Sequence, residues 1–284
     1  LSRSECFARF ELLACVANSS SRTAPWKLLC HKTSGHYMTE DDEEEEKSWR
    51  RMMALFHPVT HVIFDMDGLL INTEDHYTEA HNMLLKRFGK TFTWDLKAQQ
   101  MGRSERDGFQ LVIDQMQLPV TLDDMIAEMT TYMEQLFPNA VLMPGAERLV
   151  VHLSKHNVPI ALCSGSKAHF YEMKTAKHKQ VFDLFHHRVL TPDDPDVTHG
   201  KPHPECYLTC AKRFQPPPTS PSSVLVFEDS PNGVQAALNA GMQVVLVPDP
   251  RLDKRYRDYP TLCIDSLLDF KPEMFGLPSF TESH

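Results

Sequence analysis

The sequence predicts an α/β fold in which a parallel sheet, covered on both faces, carries an inserted block of helices. Three observations predict it. From His61 onward, short apolar runs alternate with helical periodicities, and strand–helix alternation is the pattern of a parallel sheet. The runs are continuously apolar, as in Val62-Ile63-Phe64, which suits strands buried on both faces. Residues 75–137, by contrast, show apolar residues at three- and four-residue spacing and no strand.

Taken in order, HVIFD is the first strand and ends in two carboxylates, Asp65 and Asp67. HYTEAHNMLLKRFG and ERDGFQLVIDQMQ read as amphipathic helices, and Thr121 is placed to cap a third, TLDDMIAEMTTYMEQLF. After Pro144-Gly145 comes the helix AERLVVHLSKH, then the strand PIALC, one helical stretch SKAHFYEMKTAKHKQVF and the strand HRVL. A helix follows KPHPE, and the strand SVLVFED, the helix NGVQAALNAG and the strand QVVLVP complete the alternation. The expected division is a Rossmann-like core, 58–74 with 141–284, and a helical cap, 75–140. Such a cap lies over the carboxyl ends of the strands, where these sheets bind ligands.

Residues 1–57 read differently. They have no lasting period, and EDDEEEE at 40–46 is a like-charge block that stays solvated. The Arg and Ser content permits a transit peptide, but Glu5 and Glu11 weigh against one, so a disordered extension is expected. The whole chain has 284 residues, 42% hydrophobic and 24% charged, with a formal charge of −9. That balance argues against a nucleic-acid partner, and no run is apolar for the roughly 20 residues a membrane span needs. Seven scattered cysteines do not form a disulfide framework, and Cys206 and Cys210, four apart, read as a half-buried helix stripe before a metal pair. A reducing, cytoplasmic setting and a monomer are expected.

Polar residues gather where strands end. Asp65 and Asp67 follow 62–64, Ser164 follows 160–163, Glu228 and Asp229 follow 224–227, and Lys201 lies in the loop HGKPHP. If the strands are neighbours, these groups converge. Several carboxylates in one volume need a compensating charge, and an oxygen-rich site with open positions suits Mg²⁺. Lys201 and the Ser164 hydroxyl suit a phosphoryl oxygen. The expected substrate is therefore a small phosphomonoester.

FDMDGLL, ALCSGSK, GKPHPE and VFEDSPNGVQAALNAGM together resemble the four motifs of the haloacid-dehalogenase-like phosphatases, over about residues 58–277. LMPGAERLVVHL, HGKPHPECYLTCAKRF, GMQVVLVPD and DFKPEMFGLPSF are similar to the pseudouridine-5′-phosphatase branch. The resemblance implies a nucleophile at Asp65, a general acid–base at Asp67, and phosphate binding by Ser164, Gly165 and Lys201. It implies Mg²⁺ on Asp65, Asp229 and the Asp67 backbone carbonyl, with Glu228 acting through water. Arg103 is the cap residue expected near substrate.

The chain departs from the pattern at Asn72 and His203, where Asp is frequent; His203 reads as a surface histidine at a helix start, and His186-His187 and His31/His36 likewise read as surface groups. Three alternatives stay open: a glycerol or sugar phosphate phosphatase, a phosphosugar mutase, and an inactive binding protein. Mutases of this type carry a histidine in the first cap helix, where this chain has Tyr77, with His76 turned about 100° away.

Overall fold

A computed structural model describes residues 56–100 and 105–280 of the chain. The expectations for residues 1–57 fall, apart from Phe56 and His57, outside the described residues. Among the described residues two compact units emerge, 59–272 with 277–280, and 56–58 with 273–276. In the second unit the rings of Phe56 and Phe275 lie 4.8 Å apart. The site belongs to the first.

That unit is built on six parallel strands: β1 (His61–Phe64), β2 (Ile160–Ser164), β3 (His187–Leu190), β4 (Val224–Glu228), β5 (Gln243–Leu246) and β6 (Leu262–Cys263). Their spatial order is β3-β2-β1-β4-β5-β6. Every residue of β1, β2, β4 and β5 is buried, which is why these strands are spelled as unbroken apolar runs. Register does the next part. Phe64 pairs with Leu162 on one side and Phe227 on the other, so the residues after all three strands emerge side by side. The Phe64 and Phe227 rings stack at 4.9 Å beneath that edge. Since the chain runs from β1 out to β2 and β3 and later returns to place β4 on the other flank, the edge between β1 and β4 is the topological switch point.

Between β1 and β2 stand α1 (Glu74–Lys86), α2 (Trp94–Gln100), α3 (Glu105–Met116) and α4 (Leu122–Leu136), followed by α5 (Ala146–Lys155). Thr121 caps α4 by accepting from the Asp124 N–H at 3.1 Å, a contribution of about 1 kcal/mol. Ala80, Leu84 and Leu85 of α1 pack with Val112 of α3 and Met125, Met129 and Met133 of α4 in a cluster of their own. The segments entering and leaving this block run alongside each other, through Asn72 N–H to Val141 O and Met143 N–H to Leu70 O, both 2.9 Å. Two readings needed correction. The stretch 166–182 is two helices, α6 (Ala168–Thr175) and α7 (Lys179–Phe182), and α2 had no counterpart in the expected elements. On the sheet's far side α8 (Glu205–Lys212) and α9 (Pro231–Asn239) cover the core. Cys206 and Cys210 are buried there as free thiols, within an apolar stripe.

Candidate active site

Asp65 sits one residue past β1, its N–H donating to Phe227 O at 3.0 Å. The sheet has thereby fixed it beside Glu228, the last residue of β4. The loop between β3 and α8 brings in Lys201, whose Nζ lies 2.6 Å from Asp65 Oδ1, 2.6 Å from Glu228 Oε1 and 3.3 Å from Cys163 O. Tyr207, wholly buried on α8, donates its hydroxyl to the same Glu228 oxygen at 2.5 Å. The other Glu228 oxygen accepts from the backbone N–H groups of Asp229 and Ser230, at 3.1 and 3.2 Å. Gly233 makes room for this carboxylate, since a Cβ there would collide with it. Gly68 does the same for Asp229: it takes φ +79°, and a Cβ on it would overlap the Asp229 carboxylate.

Ligand atoms of Asp65, Glu228 and Asp229 lie within 4.8 Å of one another. Burial pushes the Asp65 carboxyl up to about 7; Lys201 pulls against this, and the Glu228 and Asp67 charges add to it. Burial raises Asp229 well above its ordinary range, with Asp65 and Glu228 reinforcing the shift. Three carboxylates gather here around one ammonium, which touches two of them, Asp65 and Glu228. The surplus negative charge and the all-oxygen donor set fit a hard divalent cation.

Asp67 occupies a different environment. Its Oδ1 accepts from Lys174 Nζ at 2.5 Å and Thr73 Oγ1 at 2.8 Å; its Oδ2 accepts from Ser166 Oγ at 2.8 Å and, more weakly, Ser164 Oγ at 3.3 Å. Burial works upward on this carboxyl too, yet the Lys174 charge and the Lys174, Thr73 and Ser166 donors hold it below its usual value. Lys174, on α6, is almost fully buried. Its Nζ also donates to Ser166 Oγ at 2.7 Å and Tyr77 Oη at 3.2 Å, and it stands 4.2 Å over the Phe137 ring.

The sequence-derived residues Asp65, Asp67, Ser164, Lys201, Glu228 and Asp229 thus share one volume. Gly165 adjoins it, exposed, with open space where a side chain would stand. Arg103 lies outside the described residues. Thr73, Ser166, Lys174 and Tyr207 were not anticipated. For Lys174 a signal existed: with Phe170 and Tyr171 it occupies the buried stripe of α6, a lysine where periodicity demands an apolar group. His199, His203 and Glu205 also bring three possible ligand atoms within 4.8 Å, but they are surface groups. The Glu205 carboxyl is held down to about 2 by the His199 and Thr198 backbone N–H groups, at 2.6 and 2.8 Å, and so closes the loop that carries Lys201.

The haloacid dehalogenase-like hydrolase model matches residues 59–241, the span that holds every group just described. The chain belongs to this family. Among haloacid dehalogenase-like relatives, (DL)-glycerol-3-phosphatase 1, mitochondrial, of Arabidopsis thaliana is 48% identical over 80% of this chain and 76% of its own length. A probable pseudouridine-5′-phosphatase of Drosophila melanogaster is 48% identical over 79% of this chain and 96% of its own. The crystal structure of a β-phosphoglucomutase from Clostridium difficile shares the fold, with a TM-score of 0.61 at 23% identity, over 76% of this chain and 94% of that one. With such relatives, this haloacid dehalogenase-like chain is a phosphoric monoester hydrolase.

Proposed function

We propose that this phosphatase hydrolyses pseudouridine 5′-phosphate to pseudouridine and phosphate, with Mg²⁺, through an aspartyl-phosphate on Asp65. The observation that carries the chemistry is the separation of two neighbouring aspartates into opposite environments. Asp65, against Lys201 and the acidic group, is the nucleophile; Asp67, held apart by Lys174, Thr73 and Ser166, is the acid–base. An Asp65 oxygen bonds to phosphorus as the ester P–O bond breaks; Asp67, ionised at rest beside Lys174, takes a proton from the incoming phosphate monoanion and gives it to the leaving oxygen. A water then attacks phosphorus and passes its proton to Asp67. The Asp65–phosphorus bond breaks, and phosphate leaves. Asp65, Asp229 and the Asp67 backbone carbonyl would hold Mg²⁺, with Glu228 reaching it through water; bound there, it would neutralise charge on the phosphoryl oxygens. Lys201, Ser164 and the Gly165 N–H supply donors to the same oxygens.

The 48% identity to the probable pseudouridine-5′-phosphatase of Drosophila supports the nucleotide substrate. Tyr77 supports hydrolysis over transfer to a sugar, because its hydroxyl, at the position of the mutase histidine, is already engaged with Lys174. The equally similar Arabidopsis glycerol-3-phosphatase favours a second reading, glycerol phosphate. Phosphate release from pseudouridine 5′-phosphate, uridine 5′-phosphate, ribose 5-phosphate and glycerol 3-phosphate decides between them. A base used for binding energy makes the first substrate best. Equal efficiency on all four, or a preference for glycerol phosphate, overturns the nucleotide assignment and leaves the phosphatase. Among the described residues no helix is long and apolar enough to cross a membrane. We place the enzyme in the cytoplasm as a monomer, and exclusive mitochondrial staining of the full chain would overturn that placement.

A further inference from the structure

The buried ammonium of Lys174 has no part in the motif chemistry. A lysine almost wholly removed from water needs a compensating anion, and the anion here is Asp67. A carboxylate offers about four acceptor positions. Lys174 and Thr73 take the Oδ1 side; Ser166 takes one Oδ2 position, and the second, held only by the long 3.3 Å contact to Ser164, is where a transferred proton can sit. Ser166 is itself held by Lys174, which donates to its Oγ while that oxygen donates onward to Asp67. Lys174 therefore fixes Asp67 twice, directly and through Ser166. Its own place is set from the helical insertion: Tyr77 of α1 accepts its third proton, and the Phe137 ring faces it.

We propose that Lys174, held in turn by Tyr77, is a positioning residue for the acid–base Asp67, and governs proton delivery to the leaving group. The proposal rests on the aspartyl-phosphate reading above. Lys174 does not reach the Asp65, Glu228 and Asp229 group, which has Lys201 as its own cation. Removing Lys174 should therefore impair proton transfer and leave phosphoryl transfer to Asp65 intact. A leaving group that needs no proton should escape the damage.

The test compares glycerol 3-phosphate, whose alkoxide must be protonated, with p-nitrophenyl phosphate, whose phenolate departs unaided. For both, kcat/KM reports only the steps through departure of the leaving group. Lys174→Met keeps the length of the stem among Phe137 and Tyr77. It should lower kcat/KM on glycerol 3-phosphate about 100-fold, the scale of a lost general acid, and on p-nitrophenyl phosphate less than about 10-fold. The kcat for p-nitrophenyl phosphate should fall further than its kcat/KM, because the second step needs Asp67 as base. Equal losses on the two esters mean a merely structural role and overturn the proposal, as does no loss on either. Should Lys174→Met fail to fold, Tyr77→Phe carries the same comparison. It should shift the ratio of the two kcat/KM values in the same direction by a smaller factor; an unchanged ratio overturns the proposal. If the wild-type enzyme spares glycerol 3-phosphate, pseudouridine 5′-phosphate takes its place as the ester that needs a proton; no hydrolysis of any of these esters in Mg²⁺ would overturn the aspartyl-phosphate reading first, and this proposal with it.

Discussion

Asp65 and Asp67 are one residue apart and belong to two different sites. On the Asp65 side, Glu228 and Asp229 crowd in from β4, and one lysine, Lys201, answers three carboxylates. On the Asp67 side, a second buried lysine answers a single carboxylate, with two hydroxyls of good geometry assisting it. The first side has negative charge to spare and is unstable without a partner. The second is complete in itself. Two like groups acquire different chemistry when their surroundings push them apart, and here alternate residues leaving one strand face opposite walls.

Under the proposed mechanism, the largest effect should come from removing the Asp65 charge. Asp65→Asn preserves shape and should lower turnover at least about a thousandfold, measured as phosphate release under saturating Mg²⁺. Near-normal turnover would mean that covalent chemistry does not occur at this residue.

Next comes the cation that serves the Asp65 side. Lys201→Met leaves Asp65 and Glu228 without their shared ammonium in a buried setting, a change that costs about 3–5 kcal/mol. Urea unfolding in the absence of divalent ions should show that loss. A loss under about 1 kcal/mol would mean water already serves these carboxylates.

A pH series sharpens the contrast without mutation. The Asp65 carboxyl, raised to about 7 by burial, binds a proton below that pH, and a divalent cation must displace it; burial raises Asp229 in the same direction. The apparent affinity for Mg²⁺ should therefore weaken as pH falls through 7, by about tenfold per unit for each proton displaced. Affinity flat from pH 8 to 5.5 would place the cation away from these carboxylates.

The smallest effect belongs to the completed side. Thr73→Val removes one of several donors to Asp67, and the net loss should be about 1 kcal/mol, seen as a several-fold fall in kcat/KM on alkyl phosphates. A hundredfold fall would show that Asp67 depends on Thr73 as much as on its lysine.

The same division governs what could be read before any coordinates. The Asp65 side was legible because a parallel strand is an unbroken apolar run, and a polar residue at its end is conspicuous. Asp65, Ser164 and Glu228 each announce themselves this way, and the register that unites them follows from parallel pairing. The Asp67 side was not legible. Lys174 stands in a helix where lysines are ordinary, and only its phase within the stripe Phe170–Tyr171–Lys174 marks it as buried. Tyr207 hid in the same manner among Cys206 and Cys210. The break between α6 and α7 also escaped, since Ala176–His178 contains neither glycine nor proline to signal a stop. Helix α2 is a short element whose buried Leu96 and Lys97 give too few turns for a period to register. Lys97 is held there by Glu74 at 2.8 Å, a tertiary contact that no local pattern encodes.

The strand order carries a consequence for how the enzyme is made. β1 is synthesised first yet lies at the centre of the sheet, and its partner β4 emerges only after the entire helical block, β2 and β3. Long-range parallel pairing of this kind is slow, because the entropy of closing the loop is lost before any contact repays it. On a ribosome adding about 5–20 residues per second, the nascent chain therefore holds Asp65 and Asp67 for many seconds with one flank of their strand unpaired. The helical block, whose contacts are local and whose core is its own but for Phe170 and Met173 of α6, can meanwhile condense. Catalytic competence arrives last, with β4, so a chain truncated before Val224 would display folded helices, an open strand edge and no enzyme.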